Sequence, residues 1–175
     1  MKVTIVAGNP KPQSRTLEAA GLVAESMIDG DANASIARID VITLGSGLLG
    51  WGDVAVAEAV STAAGSDLVV IASPTFKATY TGVLKLFLDQ FAGGEGLRDV
   101  VAIPLMLGAG PTHAMAPDLL LKPVLAELGA ACPAPGLYLM DSSFTTDGRI
   151  ADYALRWGPV VRAAATATSV RTETT

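Results

Sequence analysis

Residues 68–73 read LVVIAS and residues 100–107 read VVAIPLML, and both are almost uninterrupted apolar runs. A third run, VTIVA, occupies residues 3–7. Continuous apolar runs of this length are typical of strands at the centre of a parallel sheet, where helices cover both faces. The three runs therefore predict the middle of a parallel β-sheet.

Five strands and five helices are predicted to alternate along the chain. The strands are Lys2–Ala7, Ser35–Ile42, Asp67–Ser73, Val100–Leu107 and Gly136–Met140. The helices are Arg15–Ile28, Asp53–Ala64, Gly82–Phe91, Pro117–Leu128 and Ile150–Thr168. In the second strand, apolar and polar residues alternate more than in the others, which suits a position nearer the edge of the sheet.

Pro123 interrupts the pattern of the fourth helix. Proline cannot donate a hydrogen bond to the carbonyl of Leu119, and its ring crowds that carbonyl. A kink or bulge is therefore expected near Asp118–Leu120. Helix bulges are frequent at functional sites, and a simple packing kink is the alternative.

This alternation indicates an α/β fold with a doubly wound parallel sheet. Right-handed crossovers leave few topologies, and five strands best fit a flavodoxin-like three-layer sandwich with strand order 2-1-3-4-5. We expect one domain over residues 1–168 and a polar, frayed tail over residues 169–175. Ligands of such sheets bind beyond the carboxyl ends of the strands, at the switch point between strands 1 and 3. The loops after Ala7, Ser73 and Leu107 are therefore candidate binding loops.

The composition argues against several classes of protein. The 175 residues include 12 Lys and Arg against 17 Asp and Glu, a formal net charge of −5, so nucleic-acid binding is not expected. The single cysteine, Cys132, and the single histidine, His113, leave no internal disulfide and no multi-histidine or multi-cysteine metal site. No apolar run reaches the roughly 18 residues of a membrane span, and the N-terminal run is too short for a signal peptide. We expect a cytoplasmic domain without metal.

The first binding loop, Gly8–Thr16, combines the features of a phosphate site. It runs into the first helix, whose free N–H groups attract anions. Lys11 and Arg15 add positive charge, and arginine can bind a phosphate through two hydrogen bonds. Ser14 and Thr16 offer hydroxyls and can cap the helix. The loop matches neither the Walker A nor the dinucleotide-binding pattern, and a proline-rich turn with solvated charges is the alternative.

The second loop, Ser73–Gly82, suits a planar heterocycle. Pro74 and Phe76 can form an apolar wall, and the backbone of Thr75–Lys77 can meet the polar rim of a ring. The alternative is that Phe76 and Tyr80 pack in the core or at a subunit interface.

The third loop, Gly108–His113, is rich in small residues that let the backbone approach a ligand closely. His113 can donate to a ring carbonyl or stack on a ring, or it can simply cap the turn. No nucleophile–base pair stands out, and Cys132 has the setting of a small buried residue. A prepared pocket without acid–base groups suggests that a cofactor supplies the chemistry.

Together the three loops resemble those of the NADPH-dependent FMN reductase family, and within it the flavin reductases that serve alkanesulfonate monooxygenases. The resemblance covers about residues 1–155 and rests on three segments. They are Gly8-Asn9-Pro10-Lys11-Pro12-Gln13-Ser14-Arg15-Thr16, the run SPTFKATYTGVLK from Ser73 to Lys85, and the stretch from Gly108 through His113 to LKPVL at 121–125.

The resemblance implies a flavodoxin-like fold that binds FMN and reduces it with NADPH or NADH, in a homodimer or homotetramer. Catalysis would then need no side chain as acid or base, because the flavin carries the chemistry. Lys11, Ser14, Arg15 and Thr16 would hold the FMN phosphate. The full implied set is Asn9, Lys11, Ser14, Arg15 and Thr16 in the first loop, Pro74, Thr75, Phe76 and Lys77 along the ring, and Gly108, Gly110 and His113 at its far edge.

Three departures from the family pattern bear on the activity. Asn9 stands where many relatives have Ser, and Lys11 stands where they have Arg. Leu119 occupies the position of a Tyr that is linked with releasing reduced flavin to a partner monooxygenase. This last departure favours a retained FMN that reduces a quinone or azo dye. A non-enzymatic electron carrier of the flavodoxin type is a further alternative.

Overall fold

The five predicted strands form one parallel sheet in the computed structural model, which describes residues 1–28 and 30–172. The strands are β1 (Lys2–Ala7), β2 (Ser35–Asp40), β3 (Leu68–Pro74), β4 (Val101–Gly108) and β5 (Leu137–Met140). Their order is β2-β1-β3-β4-β5, which confirms the predicted flavodoxin-like topology. The alternating strand β2 lies at one edge, as its pattern indicated.

Within the described residues, five α-helices cover the two faces of the sheet. They are α1 (Arg15–Met27), α2 (Val54–Ala64), α3 (Gly82–Leu88), α4 (Lys122–Glu127) and α5 (Arg149–Thr172). Short 3₁₀ segments follow β2 at Val41–Leu49 and β4 at Pro111–His113. No helix in the described ranges is both long and apolar enough to cross a membrane.

The core consists of two apolar layers, one on each face of the sheet. Every residue of β3 and β4 is buried. Val69 and Ile71 of β3 face one layer, to which α2, α3 and α4 contribute. Val70 and Ala72 face the other, which α1 and α5 cover. The central strands are apolar throughout because both of their faces are buried.

The predicted bulge in the fourth helix is confirmed as a π-helical turn at Pro117–Leu121. The N–H of Lys122 bonds to the carbonyl of Pro117, one residue further back than in an α-helix. Pro123 follows at once and has no N–H to give to the carbonyl of Leu119. The carboxylate of Asp118 accepts the N–H of Gly136 at 2.9 Å, which ties the turn to the segment before β5.

The last helix is longer than predicted. Helix α5 ends at Thr172 rather than Thr168, so residues 169–172, which we expected to fray, continue the helix. The rest of the expected tail, residues 173–175, lies outside the described residues. Strand β2 also ends earlier than predicted, at Asp40, because the 3₁₀ segment begins there.

Candidate functional site

The three predicted loops meet at the carboxyl edge of the sheet. The N–H of Gly8, directly after β1, donates to the carbonyl of Ala72 in β3 at 2.8 Å. The N–H of Thr75, after β3, donates to the carbonyl of Leu107 in β4 at 2.6 Å. These bonds continue the sheet ladder into the loops and hold the loops side by side.

Gly8 sits against the start of α3, where no side chain fits. A Cβ at this position would lie 2.2 Å from the Cβ of Leu84 and 2.7 Å from its Cα. The hydroxyl of Thr81 caps α3 by accepting the N–H of Leu84 at 3.1 Å, and it donates to the Gly8 carbonyl. The side-chain oxygen of Ser73 accepts the N–H of Thr81 at 3.0 Å. The first and second loops are therefore fixed to each other through buried groups.

The first loop is organised by its own side chains. The amide of Asn9 donates to the hydroxyl of Thr16 at 2.9 Å and accepts the N–H of Lys11 at 2.9 Å. Ser14 caps α1 by accepting the N–H of Leu17 at 3.3 Å. Ser14 and Thr16 are both buried, and each hydroxyl accepts a hydrogen bond while keeping its own hydrogen to donate.

Asp40, at the end of β2, supports the turn into α1. Its Oδ2 accepts the N–H of Gln13 at 2.7 Å, and Gln13 has a φ of 50°, in the left-handed region. Its other carboxylate oxygen is buried and has no hydrogen-bond partner within the described part of the chain. Asp40 therefore stabilises a strained backbone directly before the helix N-terminus.

Two cations stand at the first loop. Lys11 is exposed and forms no ion pair with any described residue. Arg15 begins α1, and its Nε lies 3.6 Å from the Oδ1 of Asp141. Its guanidinium carbon lies 5.1 Å from the ring centroid of Phe144. Asp141 directly follows β5, so its carboxylate also lies at the carboxyl edge of the sheet.

The second loop is a tight hairpin. The N–H of Phe76 donates to the carbonyl of Thr79 at 2.9 Å, and Lys77 and Ala78 at its tip have φ values of 52° and 71°. The Phe76 side chain is 51% exposed, whereas Tyr80 packs against the core. The alternative of a position packed in the core therefore holds for Tyr80 and not for Phe76.

The hydrogen bonds of the hairpin contradict part of one expectation, that the backbone N–H groups of Thr75–Lys77 meet the polar rim of a bound ring. The N–H groups of Thr75 and Phe76 are already bonded inside the protein, so they are not available to a ring. Lys77 is the member of that predicted stretch whose N–H has no bond within the described residues. The hydroxyl oxygen of Thr75 is also buried without a partner among them. A buried polar atom of this kind costs free energy unless a ligand or water satisfies it.

The third loop depends on a tyrosine of β5. A Cβ on Gly108 would lie 1.7 Å from the hydroxyl oxygen of Tyr138. That hydroxyl donates to the carbonyl of Gly110 at 2.7 Å. His113 lies in the short 3₁₀ turn that follows. Glycine is therefore required at position 108, because the Tyr138 side chain occupies the space that a larger residue would need.

A cavity of about 200 Å³ opens between the second loop, the third loop and the π-helical turn. Ala78, His113 and Leu119 are among the residues that line it. A larger cavity, of about 410 Å³, lies between α1 and α5 and is lined by none of the predicted site residues. Volume alone does not identify the site, because the smaller of these two cavities adjoins the binding loops and the larger does not.

The arrangement is better suited to binding a phosphorylated, planar ligand than to catalysis by one of its own side chains. Helix N–H groups, two hydroxyls and two cations gather at the first loop, and an apolar surface begins at the second. Burial raises the pKa of the Cys132 thiol to about 11, so it is a poor nucleophile at neutral pH. No group of three acidic, histidine or cysteine side chains among the described residues could hold a metal ion.

Sequence reasoning missed several residues of this edge. Their identities are Asp40, Thr81, Tyr138, Asp141 and Phe144. For Asp141 a signal existed, because it directly follows a predicted strand and must lie at the same edge of a parallel sheet. The other contacts join distant segments, which periodicity does not reveal.

A family model described as NADPH-dependent FMN reductase matches residues 1–145. The FMN reductase (NADPH) of Escherichia coli strain K12 is 34% identical over 88 residues, 50% of this chain and 42% of that protein. The chain therefore spans less than half the length of this relative, and the same holds for an FMN reductase (NADPH) of Pseudomonas putida, with 39% covered. The NADH-dependent FMN reductase SfnF of Pseudomonas putida is 26% identical over 149 residues, 82% of this chain and 80% of that protein.

Solved structures share the fold over nearly the whole chain. The apo form of an NADH:FMN oxidoreductase, EMOB, superposes with a TM-score of 0.81 at 26% identity, covering 95% of this chain and 89% of that one. A flavodoxin of Streptococcus pneumoniae superposes with a TM-score of 0.63 at 14% identity, covering 93% and 99%. The second likeness is a likeness of fold alone.

Proposed function

The chain belongs to the NADPH-dependent FMN reductase family, and we propose that it is an NAD(P)H-dependent FMN reductase, which transfers hydride from reduced nicotinamide to FMN. One observation carries the proposal: the cationic first loop and the exposed aromatic hairpin stand side by side at the carboxyl edge of the sheet. A phosphate and a flavin ring are the two parts of one ligand that such a pair would suit.

The FMN phosphate would lie at the first loop. Arg15 and Lys11 supply the charge, and the hydroxyls of Ser14 and Thr16 have hydrogens left to donate. Asn9 orients Thr16 and the backbone of Lys11. The N-terminus of α1 adds N–H donors and a favourable dipole.

The flavin ring would lie against the second and third loops. The half-exposed Phe76 offers apolar surface, and Lys77 offers an N–H that has no bond among the described residues. Pro74, the last residue of β3, is buried and offers no such surface. The unpartnered hydroxyl of Thr75 is what a ligand with ring oxygens and nitrogens would satisfy. At the far side, Gly110 leaves room for close approach, and His113 lines the adjoining cavity. The space beside Gly108 is taken by Tyr138 instead.

FMN supplies the redox chemistry when it is bound, by accepting hydride at its ring. The residues of this chain bind, orient and shield that ring. No described side chain needs to act as a general base. The thiol of Cys132 is protonated at neutral pH, and burial raises its pKa further, to about 11.

A second candidate keeps the flavin and changes the acceptor. Leu119 is 64% exposed on the π-helical turn, at the position where the resemblance implies a Tyr linked with flavin release. Its apolar side chain favours an FMN that stays bound and reduces a quinone or azo dye. A pure electron carrier of the flavodoxin type is distinguished from both, because it would not oxidise NAD(P)H directly.

Several further properties belong to the same proposal. Phe76, Met115 and Leu119 are exposed apolar side chains, which supports a homodimer or homotetramer that covers them. Residues 1–168 would act as one FMN-binding domain, with a monooxygenase as recipient of reduced flavin if FMN dissociates. The low cysteine content is in keeping with work in the cytoplasm.

The test is an absorbance spectrum from about 300 to 550 nm of protein purified without added flavin, then with FMN, then with NADPH under anaerobic conditions. Yellow protein that NADPH bleaches supports retained FMN and the quinone or dye reductase. Colourless protein that reduces added FMN catalytically supports the dissociable-flavin reductase. Protein that neither binds nor reduces FMN overturns both.

A further inference from the structure

Arg15 meets two residues of the segment after β5. Its Nε faces the Oδ1 of Asp141 at 3.6 Å, and its guanidinium carbon lies 5.1 Å from the centre of the Phe144 ring. The Asp141 N–H donates to the Gly108 carbonyl at 2.9 Å, which fixes this carboxylate beside the third loop. Arg15 therefore links the first loop to the segment that follows β5.

The ion pair is poorly suited to stabilising the fold. The two side chains are 50% and 47% exposed. Their separation exceeds the roughly 2.7–2.9 Å of a charged hydrogen bond. Exposed ion pairs of this kind contribute little to stability, because water screens them and both side chains lose freedom. A structural role alone does not account for a carboxylate at this point.

The same carboxylate is unfavourable for a bound phosphate. A phosphate monoester carries close to two negative charges at neutral pH, and a carboxylate near it raises the free energy of the bound state. The Nε of Arg15 faces Asp141, so the edge of the guanidinium that combines Nε with one Nη cannot bind this carboxylate and a phosphate through two hydrogen bonds at the same time.

We propose, on the basis of the proposed FMN site, that Asp141 competes with the FMN phosphate for Arg15 and so weakens FMN binding. Asp141 is then a residue that sets affinity rather than one that contacts the reacting ring. Phe144 keeps the guanidinium at the mouth of the first loop whichever anion is bound, because a ring face attracts a cation without competing for its N–H groups.

The experiment compares the unsubstituted protein with Asp141→Asn, using quenching of flavin fluorescence to measure the Kd of FMN and of riboflavin. The proposal expects the Kd of FMN to fall about five- to tenfold, while the Kd of riboflavin, which has no phosphate, stays the same. The difference between the two proteins should shrink at high salt, because the groups are exposed. Asp99→Asn, an equal charge change just before β4 at the opposite end of the sheet, is the matched control and should leave both constants unchanged.

A double variant, Arg15→Ala with Asp141→Asn, separates competition from a general charge effect. Competition for Arg15 requires most of the gain from Asp141→Asn to disappear when Arg15 is absent. An equal or higher Kd of FMN in Asp141→Asn would overturn the proposal, and the higher value would mean that Asp141 positions Arg15 for the phosphate. If the unsubstituted protein binds no FMN at all, the proposed function fails and this proposal falls with it.

Discussion

The hydroxyl of Thr81 donates a hydrogen bond to the carbonyl oxygen of Gly8, 73 residues earlier in the chain, at a point where both groups are buried. The same hydroxyl caps α3. Thr81→Val keeps the shape of the side chain but leaves the Gly8 carbonyl and the N–H of Leu84 without this partner. We expect the free energy of unfolding to fall by about 1–3 kcal/mol, measured by urea denaturation followed by circular dichroism. Thr81→Ser retains the hydroxyl and should lose less; equal stability of Thr81→Val and the unsubstituted protein would contradict the assigned bond.

Two glycines of the third loop should differ in their tolerance of alanine. In Gly108→Ala the new methyl group would collide with the hydroxyl of Tyr138, which must then move and give up its bond to Gly110. We expect a loss of about 1–3 kcal/mol in the free energy of unfolding, typical of overpacking. Gly110→Ala meets no atom within 4 Å and should change stability far less. Thermal unfolding of both variants makes the comparison, and a similar Tm for the two would show that Tyr138 is not held over Gly108.

Arg15→Ala tests the phosphate anchor directly. Charged hydrogen bonds contribute about 1.5–3 kcal/mol each, so the Kd of FMN should rise by roughly one to two orders of magnitude. Riboflavin binding should be nearly unaffected, because the phosphate is the group that Arg15 would contact. Arg98→Ala is the control, since Arg98 is paired with Glu95 just before β4, at the opposite edge of the sheet. Unchanged FMN affinity in Arg15→Ala would count against the whole placement of the ligand.

Leu119→Tyr restores the residue that the family resemblance links with flavin release. The side chain is mostly exposed, so the free energy of unfolding should change by less than about 0.5 kcal/mol. The fraction of FMN that stays with the protein through gel filtration should fall. Leu120→Tyr, one residue along the same π-helical turn, serves as the control. Equal retention of FMN in Leu119→Tyr and the unsubstituted protein would remove Leu119 from the explanation of flavin retention.

Cys132 should give the folded protein two measurable properties. Its thiol should react slowly with alkylating agents, and the free energy of unfolding should depend on pH where the thiol titrates. Burial raises the pKa of its thiol to about 11, so the folded protein at pH 8 should react with iodoacetamide far more slowly than the urea-unfolded chain. Because the folded state holds this proton more tightly, the group contributes its full stabilisation below the unfolded pKa of about 8.5. That contribution is lost as the pH rises from there towards 11. Rapid alkylation of the folded protein at pH 8 would contradict the raised pKa of this half-buried thiol.

The sheet could be predicted from the sequence because its central strands bury both faces. Strand β1 begins and ends at the predicted residues. Alternation and handedness leave few orders for five strands, and the best-fitting of these, 2-1-3-4-5, is confirmed. The π-helical turn could be predicted because proline has a single, local steric effect. The 3₁₀ segment Val41–Leu49 was not predicted, since its length and turn type depend on packing against α2 and α3.

The same distinction applies to the site. Features that depend on neighbouring residues could be predicted, and contacts between distant segments could not. The positions of the three loops follow from the topology. The sequence offers Ser14 or Thr16 as the cap of α1, and Ser14 is the one that caps it. That the N–H groups of Thr75 and Phe76 are already bonded could not be predicted, because one partner lies in β4 and the other across the hairpin. The contact between Arg15 and Asp141 likewise depends on where the last strand joins the sheet.

Strand β5 lies at an edge of the sheet and is the last of the five strands to be synthesised. The parts of the site are therefore synthesised at different times. A ribosome-bound chain whose first four strands have emerged already carries the loops around Gly8, Phe76 and Gly108. It still lacks the segment from Tyr138 to Phe144, which crosses over the third loop and faces Arg15. During translation, the loop residues that would contact a ligand are thus made before the residues that restrain them.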